Sequence, residues 1–142
     1  MFFRYDSKSK KFFPFIVVGF FEKQKKLVIG QSFVFVNKVS ESFTDIKTGE
    51  SIINIPNHRW ECVDLTIDEN YYTLSLILKN SLGKKTTISH GSVFGKNSKR
   101  ISYTQKEADS YEKKFGKSKW LKILEGKVAE GFTEEMVLLS WG

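Results

Sequence analysis

The side chains best suited to chemistry in this sequence are one cysteine and two histidines. His58 and Cys62 lie four residues apart, so on a strand they would share one face. With Asp64 and His90 they could form a mixed zinc site, and Cys62 with either histidine could act as nucleophile and base. No close-spaced ligand pair anchors such a site, and Trp60 between the first two residues is better explained by a buried strand. The sequence therefore predicts a buried thiol, with no metal, no cofactor and no catalytic centre, so the protein is predicted not to be an enzyme.

Glycines beside lysines could instead bind phosphate, and two segments approach that pattern. Residues 91–97 read G-x-x-x-G-K-N. A P-loop has four residues between its glycines and a Ser or Thr after the lysine, whose hydroxyl ligates magnesium. Residues 82–86 contain a Gly-Lys pair without the first glycine. Neither segment meets the requirement, so no P-loop is predicted.

Positive charge is concentrated in one part of the chain. The net charge is +7, and residues 84–122 hold 11 basic and 3 acidic side chains. Such a block attracts the phosphates of nucleic acids or lipids. The alternative is a solvated surface. Two observations favour it: lysines far outnumber arginines, and no aromatic RNA-binding motif interleaves with the block. Both interpretations stay open, and the candidate phosphate contacts are Lys84, Lys85, Lys96, Lys99 and Arg100.

Short strands would have to position these side chains. Residues 60–67 and 71–78 alternate in polarity on the two sides of a short polar turn, and 84–89 follows a second turn. That is the pattern of an antiparallel meander. A compact hairpin is predicted within 42–55, around a Lys-Thr-Gly-Glu turn. The number and spacing of these strands favour a small barrel or sandwich, similar in general shape to SH3-like barrels.

The longest apolar run, residues 12–21, is ten residues long and contains Pro14. A membrane-spanning helix needs about 20 apolar residues, so no transmembrane segment is predicted. Charged residues at 22–26 occupy the place where a signal peptide would carry its small cleavage residues. The sequence instead predicts core strands over 14–21 and 27–36.

Helical signals begin near residue 104. Thr104 and Glu107 have the spacing of a capping box, and Ser118 and Thr133 are candidate N-caps of two further short helices. The predicted helix stops are Gly116, Gly126 and Gly142.

The predicted organisation is therefore a β domain over 12–90, a linker over 91–103 and a helical tail over 104–142. The fold class is mainly β, a small barrel or sandwich with an antiparallel meander, followed by a C-terminal pair or trio of short helices, and is α+β overall.

The end of the tail resembles a known motif. Residues 123–142 are similar to the segment G-[MF]-T-x-E-x-V-x-x-x-x-G of bacterial envelope lipoproteins of the BamE/SmpA type. The matching residues are Gly131, Phe132, Thr133, Glu135, Val137 and Gly142. The motif is a helix start and stop and carries no chemistry. The resemblance implies binding or scaffolding in the cell envelope, by a truncated or abbreviated relative that lacks the strands following the motif.

The predicted function is a non-enzymatic protein- or peptide-interaction or scaffold module, with nucleic-acid binding through the 84–122 block as the alternative. The candidate interaction residues are Tyr71, Tyr72, Trp60, Leu138 and Trp141. Amphipathic aromatic residues concentrate at interfaces, although all three aromatic rings at 60, 71 and 72 could lie in the core, and for Trp60 and Tyr72 a core position is favoured. If the chain is a truncated relative, the last helix lacks its cover, and its apolar surface is then predicted to mediate self-association. The predicted compartment is the cytoplasm by default, or the envelope if the resemblance of the tail holds.

Overall fold

The computed structural model describes residues 4–6, 11–13, 18–68, 73–95 and 100–141. The strands are β1 (Arg4–Asp6), β2 (Lys11–Phe13), β3 (Ser32–Phe35), β4 (Trp60–Asp68), β5 (Thr73–Lys79), β6 (Lys85–Ser89) and β7 (Ser102–Thr104). The helices are α1 (Val18–Val28), α2 (Asn37–Ser40), α3 (His90–Phe94), α4 (Gln105–Phe115), α5 (Lys117–Glu125) and α6 (Glu134–Trp141).

Five strands form one antiparallel sheet in the order β6–β5–β4–β3–β7, and β1 and β2 form a separate two-stranded sheet. Because β6 and β7 lie at opposite edges, the five-stranded sheet is open and the predicted barrel is wrong. Closure requires the edge strands to pair with each other. Here each edge strand instead leads directly into a helix, β6 into α3 and β7 into α4. Helices pack on the sheet, so the α+β class is confirmed.

The predicted meander is confirmed in β4, β5 and β6, which pair in sequence order. The register shifts between Cys62 and Asp64, which marks a β-bulge. The bulge explains why the buried positions of β4 change from even numbers to odd ones, with Cys62 followed by Leu65. The predicted hairpin within 42–55 is reduced to one bridge, between Thr44 and Ser51.

The strand predicted over 14–21 is wrong where the structure describes it, because α1 begins at Val18. Residues 14–17 lie outside the described part. Phe21 and Val28, seven residues apart on α1, pack against the core beneath the sheet, which is the spacing of a helix face. The strand predicted over 27–36 is shortened to β3. Gly30, with φ of +92°, makes the turn between α1 and β3 in a conformation that glycine adopts without cost.

The sheet separates two apolar cores. The first contains Val28, Phe33, Phe35, Phe43, Ile52, Trp60, Cys62, Leu65, Leu74, Leu76 and Leu78. The second contains Val34, Tyr103, Ala108, Trp120, Ile123, Leu124 and Met136. Successive side chains of β3 alternate between the two cores, as the pleat requires. Helix α3, which begins at His90, and strand β7, which ends at Thr104, both overlap 91–103, the range predicted as a linker.

The tail follows most of the predicted helix boundaries. The capping box is confirmed, since the Thr104 hydroxyl accepts from the Glu107 amide at 3.2 Å and the Glu107 carboxylate accepts from the Thr104 amide at 3.1 Å. Thr133 accepts from the Met136 amide at 3.3 Å. The predicted cap at Ser118 is wrong, because α5 begins at Lys117, the residue before Ser118, and its N-cap is Gly116. The stops at Gly116 and Gly126 are confirmed, and Gly142 lies outside the described residues.

One polar contact ties the tail to the loop before β4. The Trp120 indole is fully buried and its Nε1 donates to Asn57 Oδ1 at 2.9 Å. The side-chain nitrogen of Asn57, Nδ2, donates in turn to Glu112 Oε2 at 3.1 Å. Asn57 has a φ of +60°, a left-handed conformation that Asn tolerates better than most residues. This contact joins α4 and α5 to a segment some sixty positions earlier in the chain.

Candidate interaction surfaces

The side chains singled out for metal or nucleophilic chemistry lie in separate surroundings. Cys62 is buried, and this burial raises the pKa of its thiol, which makes it a poor nucleophile at neutral pH. His58 Nε2 lies 2.7 Å from Ser81 Oγ in the β5–β6 turn. His90 packs on Phe94 at a ring-centroid distance of 4.7 Å, and burial lowers the pKa of its imidazole. Among the residues that the structure describes, no three His, Cys, Asp or Glu side chains are placed to hold a metal ion.

Several cations of the 84–122 block are held by the protein's own carboxylates. Lys84 Nζ lies 3.5 Å from Asp45 Oδ2, and Lys114 Nζ lies 2.9 Å from Glu135 Oε2. Arg100 is ion-paired with Glu107. Lys96 and Lys99 lie outside the described residues, and the remaining candidate, Lys85, is half-buried on β6. The cations of this block that pair internally offer less net charge to phosphates than their number suggests.

The face of β4, β5 and β6 that points away from the first core lies partly open to solvent. Its cross-strand rows run Thr66–Ser75–Ser89, Asp64–Ile77–Thr87 and Glu61–Lys79–Lys85. None of these side chains is aromatic, so the rows offer no platform on which bases could stack. This part of the sheet has the polar outer face that is common in antiparallel sheets.

Neither edge of the sheet is an open template for another strand. At the outer edge of β7, the Ser102 carbonyl accepts from Arg100 Nε at 3.0 Å and the Thr104 amide donates to Glu107. The Arg100–Glu107 ion pair therefore lies along this edge and satisfies backbone groups that a further strand would need.

The edge of β6 is also partly occupied. The Lys85 carbonyl accepts from the Ile46 amide at 3.0 Å. Backbone groups alternate between the two sides of an antiparallel strand. Within β6, the other residues whose backbone groups point away from β5 are therefore Thr87 and Ser89. Ser89 is the N-cap of α3, where its hydroxyl accepts from the Ser92 amide at 3.1 Å. Partner binding at a sheet edge, one form of the predicted interaction, would have little backbone to use.

The five predicted interaction residues fall in three different situations. Trp60 is 4% exposed and meets Phe43 edge-to-face at 5.0 Å, so its ring belongs to the first core. Tyr71 and Tyr72 lie outside the described residues. Leu138 and Trp141 are 61% and 65% exposed.

Leu138 and Trp141 form a surface on α6 that we call the helix patch. They are three residues apart and hence on the same side of the helix, opposite the buried Met136 and Ser140. The Trp141 ring is fixed despite its exposure, since its Nε1 donates to the Gly126 carbonyl at 2.9 Å. An exposed aromatic ring held in one orientation loses little conformational freedom when a partner covers it.

Ile53 and Leu82 form a second surface, the loop patch, which sequence reasoning missed. They are 76% and 64% exposed and line one cavity of about 150 Å³. The Asp45–Lys84 ion pair joins the two loops that carry them and also lines this cavity. The amide of Lys47, followed by the charge of Lys84, lowers the pKa of Asp45, so its carboxylate stays ionised at neutral pH.

A signal for the loop patch was present in the sequence. Residues 51–55 contain three isoleucines on both faces of a short hairpin arm, and Leu82 stands in a turn whose other residues are polar or glycine. Apolar residues at such positions leave at least one side chain in water, because turn tips lie at the surface.

A larger cavity than that of the loop patch lies between α3 and the start of α4. This cavity of about 540 Å³ is lined by apolar side chains, among them Phe33 and Phe94, and by the Arg100–Glu107 pair. Residues 96–99, which stand between Gly95 and Arg100 of this lining in the sequence, lie outside the described residues. Because the two charges neutralise each other, the lining favours no particular charge on a ligand.

Comparisons with protein-family models, with curated proteins and with solved structures found no match to this chain. None of the helices that the structure describes has the length and apolar character needed to cross a bilayer.

Proposed function

We propose that this protein is a non-enzymatic protein-interaction module that binds partners through the loop patch and the helix patch. One observation carries the proposal. Among the described residues, the four most exposed large apolar side chains are Ile53, Trp141, Leu82 and Leu138, and they form two pairs instead of being scattered. Exposed apolar side chains that cluster mark interaction sites more often than single ones do.

The two patches are energetically suited to this role. Burial of an Ile or Leu side chain is worth about 1.5–3 kcal/mol, so covering two-thirds of one yields about 1–2 kcal/mol. Trp is among the residues that dominate binding energy at interfaces. The cavity between Ile53 and Leu82, about 150 Å³, can accept one aliphatic or aromatic side chain from a partner. Side-chain insertion here would not require the sheet edges.

For the helix patch we propose self-association, as predicted from the sequence. For the loop patch we propose a different protein or peptide, whose anchor is an apolar side chain. The resemblance of the tail to BamE/SmpA-type proteins adds the bacterial cell envelope as the place to search for this partner.

Site-specific photo-crosslinking in extracts of the source cells tests the loop patch. A photoreactive residue would replace Ile53 or Leu82, and Asp109, an exposed residue on α4, would serve as the control position. We expect the same adduct from both loop positions and none from the control. Excess unlabelled wild-type protein should suppress the adduct, whereas an Ile53→Glu competitor should not.

The captured partner would then be purified and its affinity measured by calorimetry. We expect Ile53→Glu and Leu82→Glu each to weaken binding by about 10-fold or more, which corresponds to 1.4 kcal/mol, and Asp109→Asn to leave it within about 2-fold. Adducts that form equally at position 109, or a partner that binds all variants alike, would refute the loop patch as a docking surface.

A further inference from the structure

We infer that the loop patch recognises an acidic peptide segment, in which a carboxylate side chain lies two positions from the apolar anchor. The inference rests on the proposed function and deepens it by assigning the chemistry of the partner. It starts from a second cavity, of about 180 Å³, beside the one between Ile53 and Leu82. Asp45, Leu82 and Lys84 line both cavities, so the two adjoin and one segment of a partner can occupy both.

The second cavity, which we call the lysine pocket, has an excess of positive charge. Lys47, Lys84 and Lys85 line it, and Asp45 is the one acidic side chain among the described residues of the lining. The Asp45 carboxylate is already satisfied, since Oδ1 accepts from the backbone amide of Lys47 at 2.9 Å and Oδ2 lies 3.5 Å from Lys84 Nζ. Lys47 and Lys85 have no ion-pair partner among the residues that the structure describes. Their two charges are therefore left for an anion.

The lysine pocket suits a carboxylate better than a phosphate. Phosphate-binding loops present several free backbone N–H groups to the anion. Here the backbone amides of Leu82 and Lys84 donate to Asn80 Oδ1 at 3.0 and 2.9 Å, and that of Lys47 donates to the carboxylate already described. Lysine side chains, which act as point charges, must then supply most of the contacts. One carboxylate, with a single charge and two acceptor oxygens, matches the two lysines that lack an ion-pair partner.

The arrangement of the two cavities sets the spacing of the two side chains. Residues two positions apart in an extended segment point to the same side and are separated by about 7 Å. This is also about the width of a cavity of 150 to 180 Å³. Glu50 lines the cavity between Ile53 and Leu82 but not the lysine pocket, so its charge disfavours an acidic side chain in the first cavity. The apolar anchor therefore occupies the first cavity and the carboxylate the lysine pocket.

Selection of random peptides from a displayed library, with the full chain as bait, tests the inference. We expect the wild type to enrich peptides that have an aliphatic or aromatic residue and an Asp or Glu two positions away. Ile53→Glu should enrich neither feature. Lys47→Glu should keep the apolar residue and lose the preference for the acidic one, and Lys47→Glu combined with Lys85→Glu should prefer a basic residue there. Lys113→Glu, the same charge change at an exposed position of α4, should select like the wild type.

The affinity of one selected peptide, measured by fluorescence anisotropy, gives the size of the charge contribution. Gln in place of its acidic residue should weaken binding about 3- to 10-fold at about 50 mM salt, and by less at about 500 mM, because salt screens exposed ion pairs. Phosphoserine in the same place should bind no more than about 3-fold tighter. Lys47→Glu is the decisive protein variant because Lys47 is exposed, whereas Lys85 is half-buried; its circular dichroism spectrum should be unchanged.

Selected peptides without an acidic residue two positions from the anchor overturn the inference, as does a library that shows no enrichment beyond that of Ile53→Glu. An equal loss of affinity in Lys113→Glu and Lys47→Glu also overturns it, because the effect would then come from the net charge of the whole protein. A phosphoserine peptide that binds 10-fold tighter or more would assign the pocket to phosphorylated partners instead. In each of these cases the proposed function stands if Ile53 and Leu82 still cross-link to a partner, and loss of that cross-link refutes both.

Discussion

Asn57 allows a quantitative test of how the tail is joined to the sheet. Its Oδ1 accepts from the buried Trp120 Nε1, and its amide nitrogen donates to Glu112. Two substitutions separate these interactions from backbone strain. Asn57→Ala removes both hydrogen bonds and places Ala in a left-handed conformation, whereas Asn57→Gly removes the same hydrogen bonds and adopts that conformation freely.

The expected magnitudes follow from these contacts. A buried N–H left without an acceptor costs about 1–3 kcal/mol. The left-handed conformation adds about 1 kcal/mol for Ala relative to Asn. We therefore expect Asn57→Ala to lower the free energy of unfolding by about 2–4 kcal/mol, and Asn57→Gly to lower it by about 1 kcal/mol less.

Urea unfolding followed by circular dichroism measures these differences. The same substitution is also made in a Trp120→Phe variant, because Phe has no N–H that would be left without an acceptor. There, Asn57→Ala should cost about 1–2 kcal/mol less than in the wild type. Equal costs in the two backgrounds would refute the argument that the Trp120–Asn57 hydrogen bond joins the tail to the sheet. An Asn57→Gly variant that is less stable than Asn57→Ala would instead refute the contribution assigned to the left-handed backbone at this position.

Three further predictions concern titration, thiol reactivity and nucleic-acid binding. Burial raises the pKa of Glu107, but hydrogen bonds from Arg100 and the Thr104 amide, with the Arg100 charge, outweigh it and hold the pKa below its usual value. The Arg100–Glu107 pair therefore adds to the free energy of unfolding above the pKa that Glu107 has in the unfolded chain, and this contribution is lost as the pH falls through the pKa that Glu107 has in the folded protein. Arg100→Gln should make the free energy of unfolding fall less steeply as the pH is lowered. An unchanged slope would contradict the role of the ion pair. Cys62, buried with a raised pKa, should react with a thiol reagent only as fast as the protein opens; stoichiometric labelling within seconds in native buffer would disprove its burial. Labelled oligonucleotides should bind only weakly at about 50 mM salt and not at 200 mM, as measured by anisotropy, whereas tight and steeply salt-dependent binding would favour the nucleic-acid alternative.

The elements predicted well from the sequence are those specified by local chemistry. The meander has alternating polarity on both sides of polar turns, and the start of α4 has a capping box whose two hydrogen bonds form between residues three apart. Such signals depend on neighbours along the chain, so no knowledge of the tertiary structure is required.

The elements that were missed depend on distant partners. Residues 14–21 have enough aromatic and β-branched side chains for a strand, but α1 begins at Val18 and packs Phe21 and Val28 against the first core. Strand β7 is three residues long and has no pattern of its own, since it exists by pairing with β3. The loop patch joins Ile53 and Leu82 from separate loops, and no local pattern indicates that the two lie side by side.

The position of β3 in the sheet also bears on how the protein is made. Its neighbour β4 follows within 30 residues, but β7 pairs Thr104 with Phe33, 71 positions later. At 5–20 residues per second, a ribosome needs about 4–14 s to add that length of chain. Throughout that interval Val34, which is fully buried in the finished protein, has neither β7 beside it nor α4 and α5 above it. The nascent meander therefore presents one unpaired edge and one uncovered apolar strand during synthesis, so the growing chain is most open to aggregation, and to capture by chaperones, before β7 is added.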